Sequence, residues 1–125
     1  MRLLVDTHVV LGLLGFEKRV SEERRAQLAD RRNDVFVSAI SPWEIEIKRA
    51  KKQLSAPDDI LEALESTQLK ALPITAEHAV AAARLPLHHR DPFDRLIVGQ
   101  ALVESLTIVT NDEKIARYQV AVLPA

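Results

Sequence analysis

The sequence has no cysteine among its 125 residues, which excludes a disulfide framework, thiolate metal ligands and a cysteine nucleophile. Aromatic residues make up 4% of the chain, too few for a paired platform on which unpaired bases would stack. Charge of one sign is not in excess: 17 Lys and Arg stand against 18 Asp and Glu, a net charge of −1. A sequence-independent nucleic-acid coat carries a surplus of cations, so any nucleic-acid contact here must be local. No apolar stretch approaches the roughly 20 residues that span a bilayer. The apolar N-terminus is interrupted by Asp6 and His8 and lacks a small-residue cleavage pattern, so it reads as folded chain rather than a signal sequence. A soluble protein with a cytoplasmic location is expected.

What remains is a chain that is 47% hydrophobic, enough for a single domain over residues 1–125 with one sizeable core. Short apolar runs predict strands at Arg2 to Val5, Val35 to Ser38, Leu69 to Ile74, Thr107 to Val109 and Val120 to Leu123. Between them, helical spacing and caps predict helices at Val9 to Leu14, Ser21 to about Arg31, Ser41 to about Lys52, Pro57 to about Thr67, Thr75 to Arg84 and Asp91 to about Ser105. Asp112 to Arg117 supplies one or two further turns. Strands alternating with helices imply right-handed crossovers. The expected fold is a three-layer α/β/α sandwich around a central parallel sheet of about five strands.

In such a sheet, ligands bind beyond the carboxyl ends of the strands, and that is where the acids lie. Asp6 follows the first strand, Glu44 the second and Asp112 the fourth, while Asp94 stands in the first turn of the helix opened by Asp91-Pro92. Each has a local explanation. Asp6 and Asp112 can cap the helical turns that follow them. Ser41 and Glu44 have the spacing of a capping box, and an acid at Asp94 suits the positive end of a helix dipole. Together they read differently, because all four can project from one rim. Two carboxylates about 4 Å apart repel by roughly 4 kcal/mol at an effective dielectric near 20, so a tight acidic group needs protons or cations. Oxygen donors favour Mg²⁺, with Mn²⁺ also compatible, and such a site suits phosphoryl chemistry.

Four segments, Leu4-Val5-Asp6-Thr7-His8, Ser38-Ala39-Ile40-Ser41-Pro42-Trp43-Glu44-Ile45, His89-Arg90-Asp91-Pro92-Phe93-Asp94-Arg95 and Thr110-Asn111-Asp112, together resemble the PIN-domain family. More narrowly, they resemble the VapC-type toxins of bacterial toxin-antitoxin modules. The resemblance runs through essentially the whole chain. It implies a Mg²⁺-dependent endoribonuclease in which Asp6, Glu44, Asp94 and Asp112 are the metal-binding and catalytic acids, Asp6 and Asp94 foremost as direct ligands. It implies hydrolysis of RNA by metal-activated water, leaving a 5′ phosphate and a 3′ hydroxyl. It also implies a homodimer, a cognate antitoxin whose C-terminal segment covers the crevice, and higher toxin-antitoxin assemblies.

Other residues carry two readings. Asp91 is either a member of the site or the N-cap before Pro92. Thr7 and Thr110 either bind ligands or are structural hydroxyls satisfied by backbone. His8 is either a base beside Asp6 or packing beneath the sheet edge. His88, His89, Arg90 and Lys48 are candidate phosphate contacts, and Trp43 is a packing residue or dimer anchor. The competing functional classes are a noncatalytic α/β interaction module, such as an inactive PIN-like or receiver-like domain, and a metal-dependent phosphatase or nuclease acting on DNA. A receiver is disfavoured because the first strand offers only Asp6 and the third ends at Leu72-Pro73-Ile74 without an acid.

Overall fold

Leu3, Leu4 and Val5 are all fully buried, although successive strand residues point to opposite faces. The first strand therefore lies inside the molecule, covered on both sides. The computed structural model describes residues 1–18 and 20–125, and it contains five strands: β1 (Arg2–Val5), β2 (Asp34–Ser38), β3 (Lys70–Leu72), β4 (Thr107–Val109) and β5 (Val122–Leu123). They form one parallel sheet in the order β3-β2-β1-β4-β5, with Leu4 of β1 in register with Phe36 on one side and Ile108 on the other. The expected α/β/α architecture with five parallel strands is what is observed. The two outer strands beyond β2 and β4 are shorter than their apolar runs suggested, since only three and two residues respectively find ladder partners.

The helices are α1 (Thr7–Leu13), α2 (Glu22–Ala29), α3 (Ile40–Ala50), α4 (Ile60–Glu65), α5 (Ala76–Ala83) and α6 (Pro92–Glu104), with a 3₁₀ turn at Ile115–Arg117. Strand alternation divides the core. Leu3, Val5, Val35, Val37 and Val109 meet Val9 and Val10 of α1 and Leu28 of α2. Leu4 and Ile108 meet Ile40 of α3 and Ile97, Val98 and Ala101 of α6. A smaller cluster of Leu11, Ile45 and Ile60 ties α1, α3 and α4 together.

The strand order reverses direction at β1. The chain moves from β1 outward to β2 and β3, then returns to β4 on the other side of β1, which opens a crevice at the carboxyl ends of β1 and β4. No helix among the described residues is long and apolar enough to cross a membrane.

Helices α5 and α6 pack closely because α5 is built largely of alanine and Gly99 of α6 lies against it. A Cβ on Gly99 would stand 2.8 Å from the Ala82 backbone nitrogen and 2.9 Å from the Ala82 Cβ. Backbone cannot rotate aside as a side chain does. Gly99→Ala should therefore destabilise the fold by about 1–3 kcal/mol through overpacking, despite alanine's better helix propensity, and urea unfolding would measure it. An unchanged or raised midpoint would show that α5 can retreat without cost.

Candidate metal-binding site

Asp6 continues the line of β1 by donating its backbone N–H to the Val109 carbonyl at 3.2 Å. Its side chain then divides its two oxygens. Oδ1 accepts from the Val9 backbone N–H at 2.8 Å, capping α1. Oδ2 accepts from the Thr110 hydroxyl, just beyond β4. Thr110 Oγ1 also accepts the backbone N–H of Asp112 at 2.9 Å, so one hydroxyl ties Asp6 to the turn that carries Asp112. Thr110 thus serves the acids directly. Thr7, by contrast, is a buried structural hydroxyl, 2.9 Å from Ser41 Oγ.

Glu44 reaches the crevice from α3, and the capping-box expectation for it is overturned. The helix begins at Ile40, its N-cap is Ala39 in helical conformation, and no side chain caps it. The Ala39 N–H is drawn to the Leu72 carbonyl of β3 at 3.0 Å, while Ser38 Oγ takes the Ile40 N–H at 3.1 Å. The chain consequently turns helical immediately after β2, Pro42 falls at the third helical position, and Glu44 lies more than a turn inside the helix. Glu44 is 1% exposed. Its Oε2 accepts from Lys48 Nζ at 2.5 Å, whereas Oε1 is buried without any hydrogen-bond partner among the described residues. A buried carboxylate oxygen without a partner is costly.

Lys48 was a candidate phosphate contact. Here it is Glu44's counter-ion, partly buried, with its ammonium 5.8 Å from the centre of the Phe93 ring. Trp43 packs edge-on to the same ring at 5.5 Å, leaving its other side exposed. Phe93 thereby couples α3 to α6 beside Glu44 and Asp94. Asp91 accepts the Phe93 N–H at 2.9 Å and is the N-cap of α6.

His89 is not an exposed phosphate contact at the mouth. It is buried, and its Nε2 lies 2.9 Å from Asp94 Oδ2 and 3.1 Å from Asp112 Oδ2. The loop before α6 is held inward because the His89 N–H donates to the Tyr118 hydroxyl at 2.9 Å. Arg95 adds hydrogen bonds to the carbonyls of Ala82, Leu85 and Pro86. One ligand atom each from His89, Asp94 and Asp112 lies within 4.8 Å of the others. Asp6 joins this group through Thr110, and Glu44 acts on Asp94 through its charge. His88 instead stacks edge-on against Tyr118 at 5.0 Å.

His8 is exposed and hydrogen-bonds Glu17 at 2.8 Å, so it does not pack beneath the sheet edge. It lines, with Asp6, Glu17, Lys18, Asn111 and Asp112, a cleft of about 520 Å³ beside two of the acids. Burial lowers the tendency of the His8 ring to protonate, but Glu17 outweighs it and raises the pKa.

The electrostatics follow from burial. Desolvation, followed by the charges of Asp91 and Glu44, lifts Asp94 from an ordinary 3.8 to about 7. Burial also raises Asp6, against the opposing hydrogen bonds from Thr110 and Val9. Burial pushes Asp112 the same way, but the Lys114 N–H and His89 overrule it and hold that carboxyl below the usual range. Burial disfavours the Lys48 ammonium, yet its bond to Glu44 holds its pKa above the usual value. The site thus combines carboxylates reluctant to ionise together with a buried oxygen that no donor among the described residues satisfies. A hard divalent cation fits both features.

A PIN domain family model matches residues 3–121. No curated protein matches the sequence. Among solved structures, VapBC2 from Rickettsia felis, bound to a DNA fragment from its promoter, superposes with a TM-score of 0.74 at 19% identity, over 100% of this chain and 99% of that one. FitAcB from Neisseria gonorrhoeae gives 0.68 at 23% identity, over 97% and 96%. DNA-bound VapBC from Salmonella typhimurium gives 0.65 at 18%, over 99% and 98%. These likenesses share the fold from end to end, and with the match over residues 3–121 the chain belongs to the PIN-domain family.

Proposed function

We propose that this protein is a Mg²⁺-dependent endoribonuclease, the VapC-type toxin of a toxin-antitoxin module, with Asp6, Glu44, Asp94 and Asp112 as its catalytic acids. The observation that carries the reading is the Oε1 of buried Glu44, which has no hydrogen-bond partner among the described residues, in the same acidic crevice as Asp94, whose pKa is raised to about 7. A structural role for these groups leaves that oxygen unexplained. Asp94 and Asp112 present oxygens within coordination reach of one another, and Asp6 and Glu44 border them. Mg²⁺ or Mn²⁺ held there would supply Lewis acidity at a phosphodiester and activate water for in-line attack. The chain's own groups keep the acids in place: Thr110 orients Asp6, Lys48 partly neutralises Glu44, and the Asp91 cap fixes the start of α6 below Asp94.

Similar solved structures include a toxin-antitoxin complex from Klebsiella pneumoniae and VapBC-5, of the VapBC family of toxin-antitoxin systems, from Mycobacterium tuberculosis, which supports a cognate antitoxin as partner; an antitoxin segment covering the crevice, a homodimeric toxin and a cytoplasmic setting are part of the same proposal. RNA is the proposed substrate.

Purified protein should cleave RNA only when Mg²⁺ or Mn²⁺ is supplied, and Asp6→Asn or Asp94→Asn should lower the rate at least about 100-fold while the circular dichroism and cooperative melt persist. Full cleavage by either folded variant would remove that residue from the assignment. Digesting matched RNA and DNA in parallel tests the substrate class, and preferential cleavage of DNA would overturn the RNA reading. A chain whose melting temperature does not respond to either metal would favour the noncatalytic module instead.

Stability should also depend on pH in a defined direction. Asp94 has its pKa raised on folding, so its contribution is fully present below about 3.9, the unfolded value, and is lost as pH rises through about 7. Without divalent metal, the melting temperature should fall between pH 5 and pH 8. Asp94→Asn should flatten that decline and raise stability at pH 8 by about 1 kcal/mol or more. A decline of unchanged steepness in Asp94→Asn would assign it to another group.

A further inference from the structure

We propose that His89 is a positioning residue of this site, an imidazole whose Nε2–H holds Asp94 and Asp112 facing a common point without itself binding the cation. The inference rests on the metal-dependent reading above, and its geometry stands apart from it. Nδ1 of His89 lies 3.1 Å from the backbone nitrogen of Asp91 and accepts its N–H. An accepting Nδ1 places the ring proton on Nε2. That nitrogen faces Asp94 Oδ2 at 2.9 Å and Asp112 Oδ2 at 3.1 Å, so a single N–H is shared by two carboxylates.

The polarity separates His89 from an ordinary metal ligand. A ligating histidine offers a lone pair to the metal and donates through its other nitrogen to a carboxylate or carbonyl. In His89 the other nitrogen accepts. Coordination through Nε2 would move the proton to Nδ1, setting one N–H against another and abandoning the bond from Asp91. That loss falls at the N-cap of α6, where Asp91 is already engaged in holding the Phe93 N–H.

The surroundings make the ring a fixed part rather than a mobile one. Its main-chain N–H is tied to Tyr118 Oη, the Arg95 guanidinium approaches its carbonyl at 3.4 Å, and the residue is 8% exposed. Asp112 Oδ1 is taken by the Lys114 N–H at 2.8 Å, so both of its oxygens are held by donors. His89 therefore connects the helix that bears Asp94 to the turn that bears Asp112. No single helix or strand does so, since the two acids stand 18 positions apart with the end of α6 and all of β4 between them.

The proton can be located directly by long-range ¹H–¹⁵N correlation spectroscopy of the ¹⁵N-labelled full chain, without metal and with saturating Mg²⁺. The expected result is a proton on Nε2 in both. A proton on Nδ1 in the metal-free chain overturns the proposal, and so does loss of the Nε2 proton when Mg²⁺ binds, which would make His89 a ligand. Calorimetric titration with Mn²⁺ gives the second measure: His89→Ala should weaken binding about tenfold, and His89→Gln, which retains an N–H donor, should recover most of it. Binding by His89→Ala as tight as the parent overturns the positioning role. If the parent chain binds neither Mg²⁺ nor Mn²⁺, the nuclease reading and the role of His89 at a cation site both fail, whereas a proton on Nδ1 with normal metal binding sinks only the inference about His89.

Discussion

Like charges crowded at the end of an apolar sheet are the constraint around which this protein is arranged. Asp6, Glu44 and Asp94 are each less than a tenth exposed, at the end of a sheet whose central strand is fully buried from Leu3 to Val5. Carboxylates in such a place lose hydration and repel one another, each effect worth several kcal/mol when unrelieved. The surrounding groups answer that repulsion one acid at a time. Thr110 donates to Asp6, Lys48 to Glu44, His89 to Asp94 and Asp112 together. What is left over is an Asp94 carboxyl with its pKa raised to about 7 and one oxygen of Glu44 with no donor among the described residues. Both are features that a hard divalent cation bound in the crevice would relieve.

Helix capping and site formation proved to be compatible rather than competing uses of an acid. A carboxylate has two oxygens, and Asp6 gives Oδ1 to the first turn of α1 and Oδ2 to Thr110. The cap sets the orientation from which the second oxygen faces the crevice. Asp112 divides its oxygens likewise between Lys114 and His89. Capping by Asp91 serves the site from one step away, because its side chain begins α6 and its main-chain N–H orients His89. Local helix chemistry thus supplies the rigidity on which the acids depend.

The aromatic contacts carry the same logic between helices. Phe93 lies against Trp43 on one side and near the Lys48 ammonium on another, so the packing that joins α3 to α6 also aligns Glu44 with Asp94. The tight approach of α5 to α6 at Gly99 and Ala82 backs α6 from behind. A site made from two strand ends, the interior of α3 and the start of α6 needs such support, since its members come from residues as far apart as 6 and 112.

Much of this was legible in the residues alone. Short continuous apolar runs mark β1, β2 and β4, and alternation with helices implies a parallel sheet with its crevice at the strand ends. That logic places Asp6 and Asp112 on one rim, and the (i, i+4) spacing of Glu44 and Lys48 makes their pairing available. Three features were decided only by the tertiary structure. The start of α3 moved to Ile40 because β3 captured the Ala39 N–H, a long-range bond that local capping signals do not register. His89 turned inward because Tyr118 and Arg95, distant in sequence or in turn geometry, anchor its loop. Thr110 became the bridge between Asp6 and Asp112 because β4 pairs with β1, a strand about a hundred residues earlier in the chain, as well as with β5. Periodicity and capping are properties of a few adjacent residues and can be read along the chain, whereas the proton between two carboxylates depends on which loops the fold brings together.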